Sequence, residues 1–420
     1  MDVSSHYCVR DLSLADRGKK SLALAEQRMG ALLALRKRFA HEKPFKGVRI
    51  GMALHVTKET GVLVRTLVAG GAEVALASCN PLSTQDDVAS ALAREHCRVY
   101  AYKGETKEDY YHFLDQVILF EPHITVDDGG DLVTRIHLKN PQRLTHIIGG
   151  CEETTTGVTR LRVMHEQGAL HYPVIAVNDN KTKHLLDNYY GTGQSSIDGI
   201  LRASNILIAG KTFVVVGYGD CGKGVALRAK GMGARVVVCE VNPFHALQAA
   251  LDGFNVMPMH DAATIGDVFL TVTGNKDVIS NEHFKKMKDG ALLANGGHFD
   301  VEIAVEGLRK IASKHEVIRD GLERYIVKGK TLYLCAEGRL VNLACAEGHP
   351  SEVMSTSFCG QALAVEYLIK HAGKLPAGIY TLPSEIDDTI ARLQLAAMGI
   401  RIDAKTKEQI RYQCGWKEGT

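Results

Sequence analysis

The sequence predicts an α/β protein with two doubly wound, Rossmann-like domains and a short C-terminal segment. Three observations lead there. From residue 47, short apolar or β-branched runs alternate with helical stretches, and a second block of the same rhythm begins near residue 205. The chain holds 41 Gly against 10 Pro, which suits tight strand-to-helix turns and not a linker protein. Its 420 residues are enough for about two to three domains.

Taken in order, residues 1–45 read as helical, because apolar residues recur at three-to-four spacing among good helix formers between Leu22 and Leu35. Strands are expected at 48–54, 73–77, 98–101, 124–126 and 145–148, with helices at 60–69, 85–95 and 107–119 between them. Residues 150–205 are rich in Thr, Asn, Asp and Gly without long periodicity, and read as the crossing between domains. The second block has nearly all-apolar strands at 212–216, 234–239, 255–257, 268–271, 291–294 and 331–334, as strands covered on both faces should be. After residue 350 the chain reads as helical at 361–370 and 384–398, then polar.

Composition excludes several classes. There are 50 Lys and Arg against 48 Asp and Glu, a net charge of +2, so no broad field favours nucleic acid or a membrane surface. No apolar run approaches the roughly 18 residues needed to span a bilayer. Residues 1–20 lack a signal-peptide core, and a cytoplasmic protein is expected. The ten cysteines form no CxxC pair, so neither a metal site nor a disulfide framework is expected.

The strand at 212–216 runs into Gly217-Tyr218-Gly219-Asp220-Cys221-Gly222-Lys223-Gly224, and a helix follows at 225–231. The next strand ends at Glu240, roughly 20 residues past this loop, where an acid grips the ribose diol of NAD. Glycines let the backbone approach a pyrophosphate, and a helix N-terminus supplies free N–H groups. An acid at 240 repels a 2′-phosphate, so NAD is favoured over NADP. A P-loop is excluded, because Lys223 is followed by Gly224.

Further reactive side chains cluster at expected strand ends, namely His55, Thr57, Glu59 and Thr60, then Asp127, Asp128 and Asp131, then Asn295 to Asp300, and in two stretches outside the expected strands, Glu152 to Thr156 and Asn178 to Lys183 with Asp187 and Asn188. Each has a plain structural explanation. His55 suits a surface histidine, Asp127 and Asp128 a helix cap, the threonines a turn, and Lys183 with Asp187 an ordinary i,i+4 helix pair. Together beside an NAD loop they read as chemistry. A buried Lys near a carboxylate, its proton affinity lowered by burial, is a tuned acceptor for the proton of an alcohol being oxidised.

These motifs make the chain resemble the S-adenosylhomocysteine hydrolase (adenosylhomocysteinase) family. The similarity runs through LHVTKET at 54–60, STQD at 83–86, KGET at 103–106, DDGGD at 127–131, EETTTG at 152–157, VND at 177–179, TK at 182–183 and DN at 187–188. It continues through GYGDCGKG at 217–224, GHFDVE at 297–302, AEGRLVNL at 336–343 and GHPS at 348–351. The wording resembles the branch common in archaea and thermophilic bacteria.

The resemblance implies a redox-neutral hydrolysis of S-adenosyl-L-homocysteine to adenosine and L-homocysteine. One tightly bound NAD per subunit oxidises the ribose 3′-hydroxyl, homocysteine leaves from C5′ by elimination, water adds, and the ketone is reduced again. It implies a substrate-binding domain at 1–182 to which residues 348–383 return, an NAD-binding domain at 190–347, and a C-terminal helical segment at 384–420. It also implies a homotetramer. Carried over by motif, Lys183 and Asp187 handle the 3′-hydroxyl proton, His55 with Asp131 manages acid–base work at C4′ and C5′, Glu153 holds the ribose hydroxyls, and His298 stands near the leaving sulfur. Thr57 and Glu59 read the base, with His349, Met354 and Phe358 also lining the substrate. NAD falls to Thr154, Thr155, Thr156, Asn188, Gly217, Gly219, Asp220, Cys221, Gly222, Lys223, Gly224, Glu240, His245, Thr273, Asn275, Gly296, Gly297, His298, Asn342 and His349.

The chain departs from the family pattern at Thr192, where many members carry Cys, at His245, often Asn, and at Lys58 and Gly61 beside the base-reading stretch. The usual Lys- and Tyr-containing tail is also absent after Gly415. The alternatives are the same chemistry on S-inosyl-L-homocysteine, whose base lacks the exocyclic amine, and a non-catalytic NAD-binding homologue.

Overall fold

The structure, a computed structural model, describes residues 2–4, 6–95 and 97–419; Met1, Ser5, His96 and Thr420 lie outside the described residues. Two sheets organise the chain. The first runs, in spatial order, through Asp2–Val3, Tyr7–Val9, Arg98–Tyr100, Glu73–Ala77, Arg49–Ala53, Ile124–Asp127, Gly149–Glu152, Pro173–Ala176 and Gly378–Tyr380. All its pairings are parallel except the N-terminal hairpin. The second runs through Asn255–Val256, Arg235–Cys239, Thr212–Val216, Val268–Thr271, Ala291–Asn295, Lys330–Cys335, Leu322–Val327 and Lys314–Arg319, and is parallel up to Lys330–Cys335. Strand order reverses between Arg49–Ala53 and Ile124–Asp127 in one sheet, and between Thr212–Val216 and Val268–Thr271 in the other. Such switch points open a crevice at the carboxyl ends of the strands.

The chain returns to the first sheet after finishing the second. Helix Ser351–Lys370 packs Phe358, Cys359, Ala362 and Val365 into the first core, against residues such as Met52 and Leu63. Strand Gly378–Tyr380 then pairs with Pro173–Ala176. Helix Ser384–Ala397 follows, and its buried Asp387 accepts from Lys181 N at 2.7 Å and Thr182 N at 3.2 Å. That carboxylate anchors the segment that leads into Lys183.

Several expectations need correction. The strand expected at 145–148 is displaced to Gly149–Glu152, because Pro141–His146 winds as a 3-10 turn. Glycine belongs in that strand: a methyl on Gly149 would meet the Leu368 side chain and the Pro173 carbonyl, and one on Gly150 the Thr125 hydroxyl. The stretch 150–205 is not irregular. It holds helices Thr155–Glu166 and Thr192–Ser204 and strand Pro173–Ala176. The helical reading of 1–45 resolves into two helices, Ala15–Glu26 and Gly30–Glu42, preceded by short strands. The antiparallel pair Lys314–Arg319 and Leu322–Val327 went unseen, because the outer strand is an exposed, charged sheet edge with no apolar run.

Candidate functional site

A cavity of about 1210 Å³ is lined by the loops at the carboxyl ends of both sheets. The first sheet contributes Leu54, His55, Thr57, Glu59, Asp128 and Glu153 to Thr156. The second contributes Gly217 to Cys221, Glu240, His245, Thr273 to Asn275 and Gly296 to His298. Asn342, His349, Met354 and Phe358 close it from the connecting chain, and Lys183, Asp187, Asn188 and Thr192 from the other connection.

Lys183 precedes a π-helical turn, His184–Gly191. The wider turn brings residues four and five ahead onto one side. Lys183 Nζ lies 2.7 Å from Asp187 Oδ2, donates to Asn188 Oδ1 at 2.8 Å, and is 3.6 Å from Glu153 Oε1. Burial alone would lower its proton affinity, but the Asp187 and Glu153 carboxylates override it and raise the lysine pKa. The expected lowering is therefore reversed in this state. Asp187 is buried too, yet His349 and Lys183 hold its carboxyl well below the usual range. Burial pushes Glu153 up, against Lys183. Ser357 Oγ and Gln361 Nε2 of the returning helix donate to the two oxygens of Glu153.

The second cluster joins the two halves. His55 Nε2 lies 3.6 Å from Asp128 Oδ2, and His298 Nδ1 lies 3.5 Å from Asp128 Oδ1. The three donor groups converge within 4.8 Å, a spacing that a small cation also accepts. The other nitrogen of His55 meets Ser83 Oγ at 2.7 Å. Burial pushes the His55 pKa down to about 4, against the pull of Asp128. The loop needs glycine at 129, which has φ +110° and carries His298 where a methyl would stand.

Here Asp131 is a correction. It takes Arg160 Nη1 at 2.7 Å and the Tyr110 hydroxyl at 2.9 Å, and it does not line the cavity. It opens helix Asp131–Lys139, so it sits past the loop's turn, while Asp128 faces His55. The motif contains three aspartates, and only the turn at Gly129 and Gly130 decides which one points inward.

At the far end, Thr57 caps helix Lys58–Ala69, accepting from Thr60 N at 3.4 Å. Glu59 is buried in the first turn and accepts from Ser351 Oγ at 2.6 Å. Lys58 Nζ is 3.5 Å from that same Glu59 oxygen and 2.7 Å from Glu347 Oε2.

The dinucleotide wall fits NAD. Helix Asp220–Gly231 starts at Gly219, which offers no side-chain cap, so the first N–H groups face the cavity. A methyl on Gly219 would meet nothing within 4 Å among the described residues, so no protein contact demands glycine there, and the space suits a pyrophosphate. Gly222 and Gly224 differ. Methyls there would collide with the Gly217 and Tyr189 carbonyl oxygens. These two shape the loop that presents Gly217 to Cys221 to the cavity. Glu240 accepts from Tyr218 N at 2.6 Å and from Val241 N at 2.7 Å. Thr192 has the Cys221 thiol at 3.5 Å and the His349 ring at 3.3 Å.

Sequence reasoning missed Asp128 as the histidine partner, and Ser351, Ser357 and Gln361 as supports of the acids. Ser357 and Gln361 are spaced i,i+4 on one helix face, a signal that says neighbours but not of what.

Residues 6–145 match the S-adenosyl-L-homocysteine hydrolase family, and residues 188–348 match its NAD binding domain. An adenosylhomocysteinase of Sulfurisphaera tokodaii is 58% identical, over 99% of this chain and 100% of its own. An S-inosyl-L-homocysteine hydrolase of Methanocaldococcus jannaschii is 56% identical over 99% and 100%. An adenosylhomocysteinase of Aquifex aeolicus is 56% identical over the same shares. With a glycine loop and a buried lysine–carboxylate cluster facing one cavity, and with matches of this extent, the chain belongs to the S-adenosyl-L-homocysteine hydrolase family.

Proposed function

We propose that this protein is an NAD-dependent enzyme that reversibly hydrolyses S-adenosyl-L-homocysteine to adenosine and L-homocysteine. The observation that carries the reading is Lys183, buried between Asp187 and Glu153 and facing the same cavity as the glycine loop. Bound NAD supplies a reversible oxidation of the ribose 3′ carbon, which acidifies the neighbouring C4′ hydrogen. Asp187 and Asn188 hold Lys183 as an ammonium, which must first give up a proton; its amine then accepts that of the 3′-hydroxyl and returns it when the ketone is reduced. Glu153, fixed by Ser357 and Gln361, holds the ribose hydroxyls. His55 is neutral above a pH of about 4, so it accepts a proton at C4′ or C5′, with Asp128 orienting the ring. His298 lies on the same aspartate, at the leaving-group end.

Gly217, Gly219, Glu240, Thr154 to Thr156 and Asn342 hold NAD. Residues 1–182 with 348–383 form the substrate unit, residues 190–347 the NAD unit, and 384–420 the C-terminal segment. The protein works in the cytoplasm as a homotetramer; among the described residues no helix is long and apolar enough to cross a membrane. A second reading, S-inosyl-L-homocysteine as substrate, is favoured by the S-inosyl-L-homocysteine hydrolase of Methanocaldococcus jannaschii, which is 56% identical to this chain. Incubation with each thioether and a free-thiol assay tests both. Thiol released from the adenosine form supports the first reading. Release from the inosine form alone moves the assignment to the second, and release from neither overturns the reaction.

A further inference from the structure

Two buried carboxyls lie just beneath the site and take no part in the proton transfers above. Asp127 ends one strand and Glu152 ends the next, opposite each other in the parallel ladder. Both are fully buried. The cation beside them, Arg160, gives its Nη1 to Asp131 and to the Gly129 carbonyl and bonds neither carboxyl. Two like charges side by side in the interior cannot both be sustained, so the pair retains a proton.

Hydrogen-bond accounting says where it resides. Asp127 uses both oxygens as acceptors, Oδ1 from Asp128 N at 3.0 Å and Oδ2 from Val133 N at 2.9 Å. Glu152 uses only Oε1, which accepts from Gly129 N at 2.8 Å and Thr154 N at 3.0 Å. Its Oε2 is buried without a partner among the described residues. Leaving a charged oxygen bare costs more than leaving a neutral hydroxyl there. Burial, then Asp127 and Asp128, push Glu152 well up, in the same sense.

The four amides held this way bracket the active side chains. Asp128 stands between His55 and His298, while Glu152 precedes Glu153 and ties the amide just after it. A methyl on Gly157 would strike the Glu152 carboxyl, so the carboxyl also bears on the first turn of helix Thr155–Glu166. We propose that Glu152 is a protonated positioning residue which, with Asp127 as an acceptor at both oxygens, fixes the backbone of the two loops that present Asp128 and Glu153. The kinetic part rests on the hydrolase reading; the protonation does not.

The test uses the NAD-loaded full chain with Glu152→Gln, Glu152→Ala and Asp127→Asn. Gln keeps one acceptor oxygen for both amides and puts its nitrogen where Oε2 lies bare. It should keep kcat within roughly threefold, whereas Ala should lower kcat about 10- to 100-fold at little change in KM and in NAD content. Asn at 127 must turn an amide nitrogen toward one of two donors, and should resemble Ala at 152. Infrared spectroscopy at neutral pH should show a protonated-carboxyl carbonyl band that Glu152→Gln removes. A Gln variant as impaired as the Ala variant, or one that removes no such band, overturns the proposal. If the wild type cleaves neither thioether, the reaction assignment fails on its own, and the infrared difference still decides the proton.

Discussion

His349 Nδ1 lies 2.5 Å from Asp187 Oδ1, although 162 residues separate them in the chain. The other oxygen of Asp187 takes Lys183, so one buried carboxylate joins the two connections that line the cavity. His349→Ala leaves that carboxylate with one strong partner. Losing a hydrogen bond to a charged, buried group costs about 1.5–3 kcal/mol, or roughly 10- to 150-fold. We expect kcat/KM for the thioether to fall by that factor, measured by thiol release, while far-ultraviolet circular dichroism stays unchanged.

Lys183→Ala should still bind substrate but fail in the oxidation step. A positioned acid or base contributes about 10²- to 10⁴-fold. The transient absorbance of reduced nicotinamide on mixing with substrate should disappear, and kcat should fall within that range. An unchanged absorbance burst would remove Lys183 from the mechanism.

Two glycines of one loop should respond differently. Gly219→Ala meets no protein atom, so folding stability should change by less than about 1 kcal/mol, the scale of a helix-cap change. Its bound NAD, measured by mass spectrometry after denaturation, should nevertheless drop to a small fraction of wild type. Gly224→Ala drives a methyl against the Tyr189 carbonyl and should lower Tm before any effect on NAD is considered. Equal NAD content in wild type and Gly219→Ala would argue against the pyrophosphate seat.

His55 carries a pH signature. Its pKa in the fold is pushed down to about 4 from 6.5, so the unfolded chain binds this proton more readily than the folded one. The stability this contributes is fully present above pH 6.5 and is lost as pH falls toward about 4. His55→Gln should flatten the pH dependence of Tm across that window. Asp128→Asn should cost activity as a partner of both histidines, and Asp131→Asn much less; the reverse order would restore the pairing read from the motif.

Glu59 is the expected reader of the base. A carboxylate accepts from the 6-amino group of adenine and meets the 6-oxo group of hypoxanthine with like lone pairs. A mismatch of this kind costs about 1–3 kcal/mol, or roughly 5- to 150-fold in kcat/KM for the adenosine over the inosine thioether. Glu59→Gln should narrow the preference, because an amide both donates and accepts. A wild-type preference for the inosine form would remove Glu59 as the reader of the base and leave the chemistry at the ribose untouched.

Much of the fold was legible because its signals are local. The helix expected at 107–119 and the strands at 73–77, 212–216 and 268–271 have the bounds of the observed elements. Each is a short apolar run or a capped periodic stretch that needs no distant partner to be recognised. Strand Gly149–Glu152 and the hairpin from Lys314 to Val327 were not legible: the first is glycine-rich for close packing against Leu368 and Pro173, and the second is a charged edge.

The site divides the same way. The sequence alone determined the chemical inventory: a glycine loop ahead of a helix, an acid at 240, and His55, Glu153, Lys183, Asp187 and His298 at the ends of strands or beside them. Which aspartate faces His55, whether Lys183 is held charged, and which buried carboxyl keeps a proton were decided only by tertiary structure. Those answers depend on distances of a few ångströms between residues far apart in the chain, such as Lys183 and Glu153 or His298 and Asp128. Burial and charge act through space, and a pattern along the chain does not record which groups share it.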